Sequence, residues 1–261
     1  MPLGSVLHNV SQLLRSKRRI PPKALNLHAS PTPSARSINE LLRVNAGKSY
    51  LEVGVKNGAT FQCVKAEQCT GVDPHPLFDL SNLPPNFSFH QAPSDDFFKK
   101  LPLDVRYDVI FLDGLHTAEQ TSRDLVNALD HLHPRGAILI DDTVPCDALS
   151  AIPDYEESKR MRRKAGLEGS AWSGDVYKIM GFLYHHEHKL GWATIIDLGR
   201  PQTLVWKSDS RHSNFELSST MLLSESYESL FGEEGQIPDR FNPVPLNEAL
   251  QSYESDLINL G

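Results

Sequence analysis

From residue 38 onward, short apolar runs alternate with segments whose apolar positions recur every three or four residues. That spacing predicts a helix closing over 38–44, a strand over 49–53, a helix over 61–68 and a second strand over 69–73. A third strand is expected over 87–91, followed by a helix start at Ser94-Asp95-Asp96-Phe97-Phe98. Residues 107–113, Tyr-Asp-Val-Ile-Phe-Leu-Asp, form a nearly unbroken apolar run, as a central strand covered on both faces should. A helix over 117–132 places Leu125, Leu129 and Leu132 on one stripe; Pro134-Arg135-Gly136 breaks it before a fifth strand over 137–140. Such alternation predicts an α/β fold, a doubly wound parallel sheet with helices on both faces.

Beyond residue 142 the pattern changes. Residues 143–175 read as an insertion carrying turn residues and the basic run Lys159-Arg160-Met161-Arg162-Arg163-Lys164. A helix is predicted over 174–184, then antiparallel strands over 193–197 and 203–207 around Gly199-Arg200-Pro201. The segment 208–261 has ten acids against Arg211 and Arg240, and reads as short helices docking on the core or on a neighbouring subunit. At the other end, residues 1–39 hold no Asp or Glu but six basic residues, Arg15, Lys17, Arg18, Arg19, Lys23 and Arg36. Leu3, Val6, Leu7, Val10, Leu13 and Leu14 recur there at helical spacing, and a Pro-rich linker follows over 21–33. This start resembles an organellar transit peptide; an arm packing on the domain or on a second subunit is the reading adopted. The chain thus divides into an arm and linker over 1–37, a domain over 38–207 and an acidic extension over 208–261.

Length and composition narrow the classes. At 261 residues one α/β core with additions is the economical count. No apolar stretch approaches the ~20 residues of a membrane span. Cys63, Cys69 and Cys146 are too few and unpatterned for a disulfide framework or structural zinc, which points to a reduced, cytoplasmic setting. A net charge of −7 argues against nucleic acid as a partner. A homo-oligomer is expected from the apolar arm and acidic tail.

Chemistry collects at the strand ends. Glu52-Val53-Gly54-Val55-Lys56-Asn57-Gly58 follows the first strand, and Gly71-Val72-Asp73-Pro74 ends the second about twenty residues later. Ligands of open α/β sheets gather outside the carboxyl ends of the strands, and glycines in the first turn let a ligand approach the backbone. A dinucleotide fingerprint would need Gly-x-Gly-x-x-Gly, which Gly54 and Gly58 do not supply. Glu52 would repel pyrophosphate and attract a cation. These residues resemble the first motif of the class I S-adenosylmethionine-dependent methyltransferases, an acid followed by Gly-x-x-x-Gly. The resemblance covers about residues 38–207 and implies a mostly parallel seven-stranded sheet finished by an antiparallel hairpin. It implies S-adenosylmethionine as cofactor, with Glu52 beside the methionine ammonium, Gly54 and Gly58 in the turn, Asp73 on the ribose hydroxyls and Ser94 and Asp95 at the adenine.

A second constellation is Asp113 after the fourth strand and Asp141-Asp142 after the fifth. Neighbouring parallel strands lie ~4.8 Å apart, so the three carboxylates can converge on one cation, and hard oxygen ligands suit Mg2+. The layout is similar to metal-dependent small-molecule and sugar O-methyltransferases. Alternatively, Asp113 orients the methionine end of the cofactor while Asp141 and Asp142 cap a loop. His116, three residues past Asp113, can take the proton of a substrate hydroxyl, or can be a helix-entry residue bonded to Asp113. His185-His186-Glu187-His188 reads as a solvated helix end, and His131 and His133 as exposed turn residues. The basic run lies over the acceptor side, where it can meet an anionic group on a substrate; Tyr155 and Trp172 line the same region or serve packing. The resulting expectation is O-methylation of a small hydroxylated metabolite, with N-methylation, aminopropyl transfer or a silent cofactor-binding subunit as alternatives.

Overall fold

A computed structural model describes residues 23–167, 169, 171–208 and 215–259. The predicted N-terminal amphipathic helix therefore lies outside the described residues. The elements are α1 (Pro33–Val44), β1 (Ser49–Val53), β2 (Gln68–Val72), β3 (Phe87–His90), α2 (Ser94–Lys100), β4 (Tyr107–Leu112), α3 (Ala118–Asp130), β5 (Leu132–Ile140), α4 (Tyr155–Lys164), α5 (Met180–His185), β6 (Leu190–Ile195), β7 (Gln202–Lys207), α6 (Tyr227–Phe231), β8 (Pro243–Val244) and α7 (Leu246–Asn259). One sheet holds all strands in the order β3-β2-β1-β4-β5-β7-β6-β8. The first five are parallel, and β7 runs antiparallel to both β5 and β6. This is the expected doubly wound, mostly parallel sheet with a terminal antiparallel hairpin, extended by the two-residue β8 alongside β6.

The apolar run at β4 forms a strand because both of its faces are covered. Ile110 and Leu112 point with Leu51, Val53, Ile138 and Ile140 into one core, beneath Leu125, Ala128 and Leu129 of α3 and Phe182 of α5. Val109 and Phe111 point with Tyr50, Ala137 and Leu139 into the other, beneath Ile38, Leu41 and Leu42 of α1 and Ala249, Tyr253 and Leu257 of α7. Burying such side chains is worth ~1.5–3 kcal/mol each, so alternation across two cores outweighs any local helical preference. Helix α1 starts where Thr32 Oγ1 accepts from the Ala35 N–H at 3.0 Å with Pro33 behind it, and α3 where Thr117 Oγ1 accepts from Gln120 N–H.

Four expectations are corrected. The helix over 61–68 is only a 3-10 turn, Phe61–Cys63. Phe61 plugs into the rings of Phe78, Phe87 and Phe89, with its nearest centroid 4.9 Å away. The Asn39 side chain donates to Cys63 O and accepts from Lys65 N–H, which draws the chain out toward β2. Strand β5 begins five residues early, with Pro134-Arg135-Gly136 in a bulge between the Tyr107–Leu132 and Val109–Ala137 pairs. The 208–261 segment contains the strand β8 and a fourteen-residue helix, α7. Tyr253 of α7 is buried, donates to Arg135 O at 2.6 Å and accepts from Asn45 Nδ2 at 3.1 Å. Finally, His131 and His186 are buried rather than solvated: His131 bonds Val105 O and lies over Phe98, and His186 bonds Phe182 O beside Phe215.

Candidate active site

The register fixes the site. Val72, Val53, Leu112 and Ile140 are mutually paired across β2, β1, β4 and β5. The residues after them, Asp73, Gly54, Asp113 and Asp141, stand level on one rim, each N–H still donating to a neighbouring strand. The strand order reverses between β1 and β4, the switch point where such sheets open a crevice. The hairpin reaches the same rim, because Ile140 pairs with Thr203 at the start of β7.

Gly54 is where backbone freedom is required. Its φ is +92°, and a Cβ there would lie 1.9 Å from the carbonyl oxygen of Asp113. Gly58, at φ +74°, has a different neighbour: a Cβ there would lie 2.5 Å from Leu25 Cδ2, so this glycine admits the segment before α1. Between them the Lys56 N–H donates to Asp73 Oδ2 at 2.8 Å, and the His75 N–H to Asp73 Oδ1 at 2.7 Å. Each Asp73 oxygen keeps a lone pair for a further donor. Glu52, 2% exposed, accepts from Tyr50 Oη at 2.6 Å. Burial pushes its carboxyl well above the usual range; the Tyr50 bond opposes this, and the charges of Asp113 and Asp73 reinforce it.

Ser94 and Asp95 open α2 and join a polar network with α3. Gln120 Nε2 donates to Ser94 Oγ, Asp95 Oδ1 and Asp124 Oδ1 at 3.1–3.2 Å. Asp124 was missed by sequence reasoning. It is buried beneath Gly114, and burial raises its carboxyl to about 6 against hydrogen bonds from Ser94 and Gln120. The signal was available, since Asp124 shares the buried stripe of Thr121, Leu125 and Ala128.

Asp113, His116 and Asp142 come together: one ligand atom from each lies within 4.8 Å of the others. His116 Nδ1 is 3.0 Å from Asp142 Oδ2, and Nε2 is 3.5 Å from Asp113 Oδ1. The ring stacks on Trp172 at 4.6 Å, with Nδ1 also 3.2 Å from Trp172 O. Asp141 departs from the expected metal set. Its Oδ1 is turned onto the Asp142 N–H at 2.9 Å, and it does not join the group. The donor set brought together is two carboxylates and an imidazole, which suits ions that also accept a nitrogen donor, such as Zn2+ or Mn2+, better than the all-oxygen preference of Mg2+.

Burial and the neighbouring acids set the protonation pattern. Asp141 rises to about 7 through burial and the charges of Asp113 and Asp142. Asp113 is raised by burial, against the pull of His116. Burial also presses on Asp142, but His116, Ser173 and Arg200 hold it below the usual range. His116 is raised to about 10, because the two carboxylates outweigh its burial. In the free protein the two carboxylates therefore favour the imidazolium, the form that has to lose its proton before His116 can act as a base. Any positive charge brought against Asp113 and Asp142 weakens that hold and moves His116 toward the range in which it can accept one.

The roof is the segment 143–175. Asp154 caps α4 by accepting from Glu157 N–H at 2.7 Å, and Arg162 is buried on Asp147. Ser173 and Gly174 N–H groups both donate to Ser150 O. Gly174, at φ +58°, presses so closely on the site that a Cβ would lie 1.6 Å from His116 O. Sequence reasoning did not single out this glycine or Arg200.

Residues 51–143, from β1 to the residue after the acid pair, match the family model Methyltransf_24, a methyltransferase domain. Over that segment the chain is similar to a methyltransferase domain. The matched segment contains every rim acid described above. No curated protein matches the chain. Among solved structures, the matched segment and its surroundings are similar to the O-methyltransferase TomG of Streptomyces achromogenes, involved in tomaymycin synthesis and solved with SAM: 15% identity, 69% of this chain and 81% of that chain, TM-score 0.46. They are also similar to an O-methyltransferase of Bacillus cereus in complex with SAH: 12% identity, 78% of this chain and 91% of that chain, TM-score 0.44. No described helix is long and apolar enough to cross a membrane.

Proposed function

We propose that this protein is an S-adenosylmethionine-dependent O-methyltransferase acting on a hydroxyl of a small metabolite, assisted by a divalent ion. The observation that carries the reading is the level row of Asp73, Asp113 and Asp141 at the mouth of the switch point, with Gly54 leaving the backbone bare between them and Glu52 buried two residues below it in β1. Carboxylates raised in pKa, as Glu52 and Asp113 are, favour a cationic partner, which restores their charged form. Glu52 and Asp113 suit the ammonium of a methionine chain, Asp73 a ribose diol, and Ser94, Asp95 and Gln120 the edge of a base.

When bound, S-adenosylmethionine supplies a methyl group on a sulfonium, and the acceptor oxygen displaces the thioether in line. The chain's part is to position the hydroxyl beside Asp113 and His116, to exclude water beneath Trp172 and to receive the hydroxyl proton. His116, held by Asp142, receives it once cationic ligands offset the two carboxylates. A divalent ion held by Asp113, His116 and Asp142 would lower the hydroxyl's pKa instead.

Calorimetry with S-adenosylhomocysteine, alone and with Mn2+ or Mg2+, followed by mass detection of one added methyl across hydroxylated compounds, tests the reading. Binding with a product one methyl heavier is expected. A protein that binds no adenosyl compound would sink it; tight binding with no metal effect on binding or turnover would remove the metal alone.

A further inference from the structure

Above the acid floor, the rim is basic. Arg200 sits in the turn joining β6 to β7, between Gly199 at φ +102° and Pro201. Because Ile140 pairs with Thr203, this turn hangs at the carboxyl end of β5, over Asp142. Gln202 Nε2 fastens the turn by donating to Ser34 Oγ at 2.9 Å. The Arg200 guanidinium brings Nη1 to 3.5 Å from Asp142 Oδ1, yet the side chain is 60% exposed. Asp142 is its one side-chain partner among the described residues. A planar fork of five donors with a single long contact keeps a full edge for a second, bidentate oxyanion.

Two further cations share this surface. Lys56, whose backbone N–H holds Asp73, is exposed in the turn after β1. On the roof, Lys159 Nζ lies 5.3 Å over the Tyr155 ring; Tyr155, 38% exposed, meets Trp172 edge-on at 5.2 Å, and Trp172 stacks on His116. The aromatic ladder thus joins a lysine to the residue next to the reacting position.

This separation of charge is unexplained by the methyl donor, whose cation belongs with the acids below. A neutral acceptor would need no guanidinium at the mouth. An anionic acceptor would be repelled by the acid floor unless a cation held its charge away from the carboxylates. We infer that the methyl acceptor is an anion, a hydroxylated carboxylate or phosphate ester whose oxyanion is held by Arg200 while its hydroxyl faces Asp113 and His116. The inference rests on the methyl-transfer reading above and names its substrate class.

The test is binding to protein saturated with S-adenosylhomocysteine, followed by ligand-observed magnetic resonance. Matched pairs separate the two sources of charge: 3-hydroxybenzoate against 3-hydroxybenzamide, and glucose 6-phosphate against glucose. In one pair the anion should bind at least tenfold tighter than its neutral partner. Arg200→Gln should erase that ratio and Arg200→Lys retain part of it, with unchanged melting temperatures since the side chain is exposed. Equal binding within both pairs, or a preference that survives Arg200→Gln, overturns the inference while leaving methyl transfer intact. Failure to bind S-adenosylhomocysteine sinks both.

Discussion

The floor and the roof of the site are built on different principles. The floor is main chain: strand hydrogen bonds continue past Val53, Val72, Leu112 and Ile140 and place each rim residue by register. The roof is attached by side chains and a few turns, through Trp172 on His116, Arg162 on Asp147 and two N–H groups on Ser150 O. A floor set by the ladder can hold an invariant cofactor, whereas a roof hung on a few contacts can change with the acceptor at little cost to the sheet. Donor binding and acceptor choice should therefore respond to different substitutions.

Gly54→Ala should break the floor outright. Positive φ and a Cβ 1.9 Å from Asp113 O leave no room without displacing β4 from β1. A stability loss above ~3 kcal/mol is expected, read by denaturant unfolding, together with loss of adenosyl binding; wild-type affinity in this variant would refute the packing argument. Gly174→Ala is the matching lesion in the roof. Its Cβ would strike His116 O, so turnover should fall about tenfold or more for a misplacement of this kind. S-adenosylhomocysteine affinity should stay within about threefold, and equal losses of both would mean floor and roof are one unit.

A pH titration sharpens the contrast. In the free protein burial raises Glu52 well above its ordinary range and Asp141 to about 7. A cationic donor favours the charged carboxylates, so binding releases protons and tightens as pH rises through these values, then levels off. The slope cannot exceed about tenfold per pH unit for each proton released. Glu52→Gln should flatten the profile measured by calorimetry in two buffers of different ionisation heat; an unchanged slope would separate Glu52 from the donor. The smallest effect belongs to Asp108, at the far end of β4. Burial works against its charge, but Lys48 N–H, Ser49 N–H and Ser49 Oγ together hold its carboxyl below the usual range. Because the folded pKa is the lower one, this stabilisation is complete above about pH 4, the unfolded value, and is lost as pH falls through the folded one. Asp108→Asn should cost about 1–3 kcal/mol at pH 7, with the gap to wild type closing in acid.

Strands β1 and β4 were legible nearly to the residue, because burial on two faces leaves a period-two pattern that little else produces. The rim acids followed from counting to the strand ends. Segment 61–68 misled because its helical spacing is real, yet Phe61 gains more from three aromatic rings than a helical turn offers. The role of His116 could not be read locally: Asp142, twenty-six residues on, supplies the second carboxylate that holds its proton. Arg200 and Gly174 escaped for the same reason, since each acquires meaning only when the chain returns to the rim.

Helix α7 closes the rear of the sheet, and its Tyr253 joins Asn45 across 208 positions of sequence. Contacts so distant along a chain are slow to form. During synthesis the part of that apolar rear which α1 does not cover stays exposed until residues 246–259 have emerged. A stalled or truncated product would thus present a sticky surface to its neighbours, making the integrity of 246–259 a condition for staying dispersed in a crowded cell.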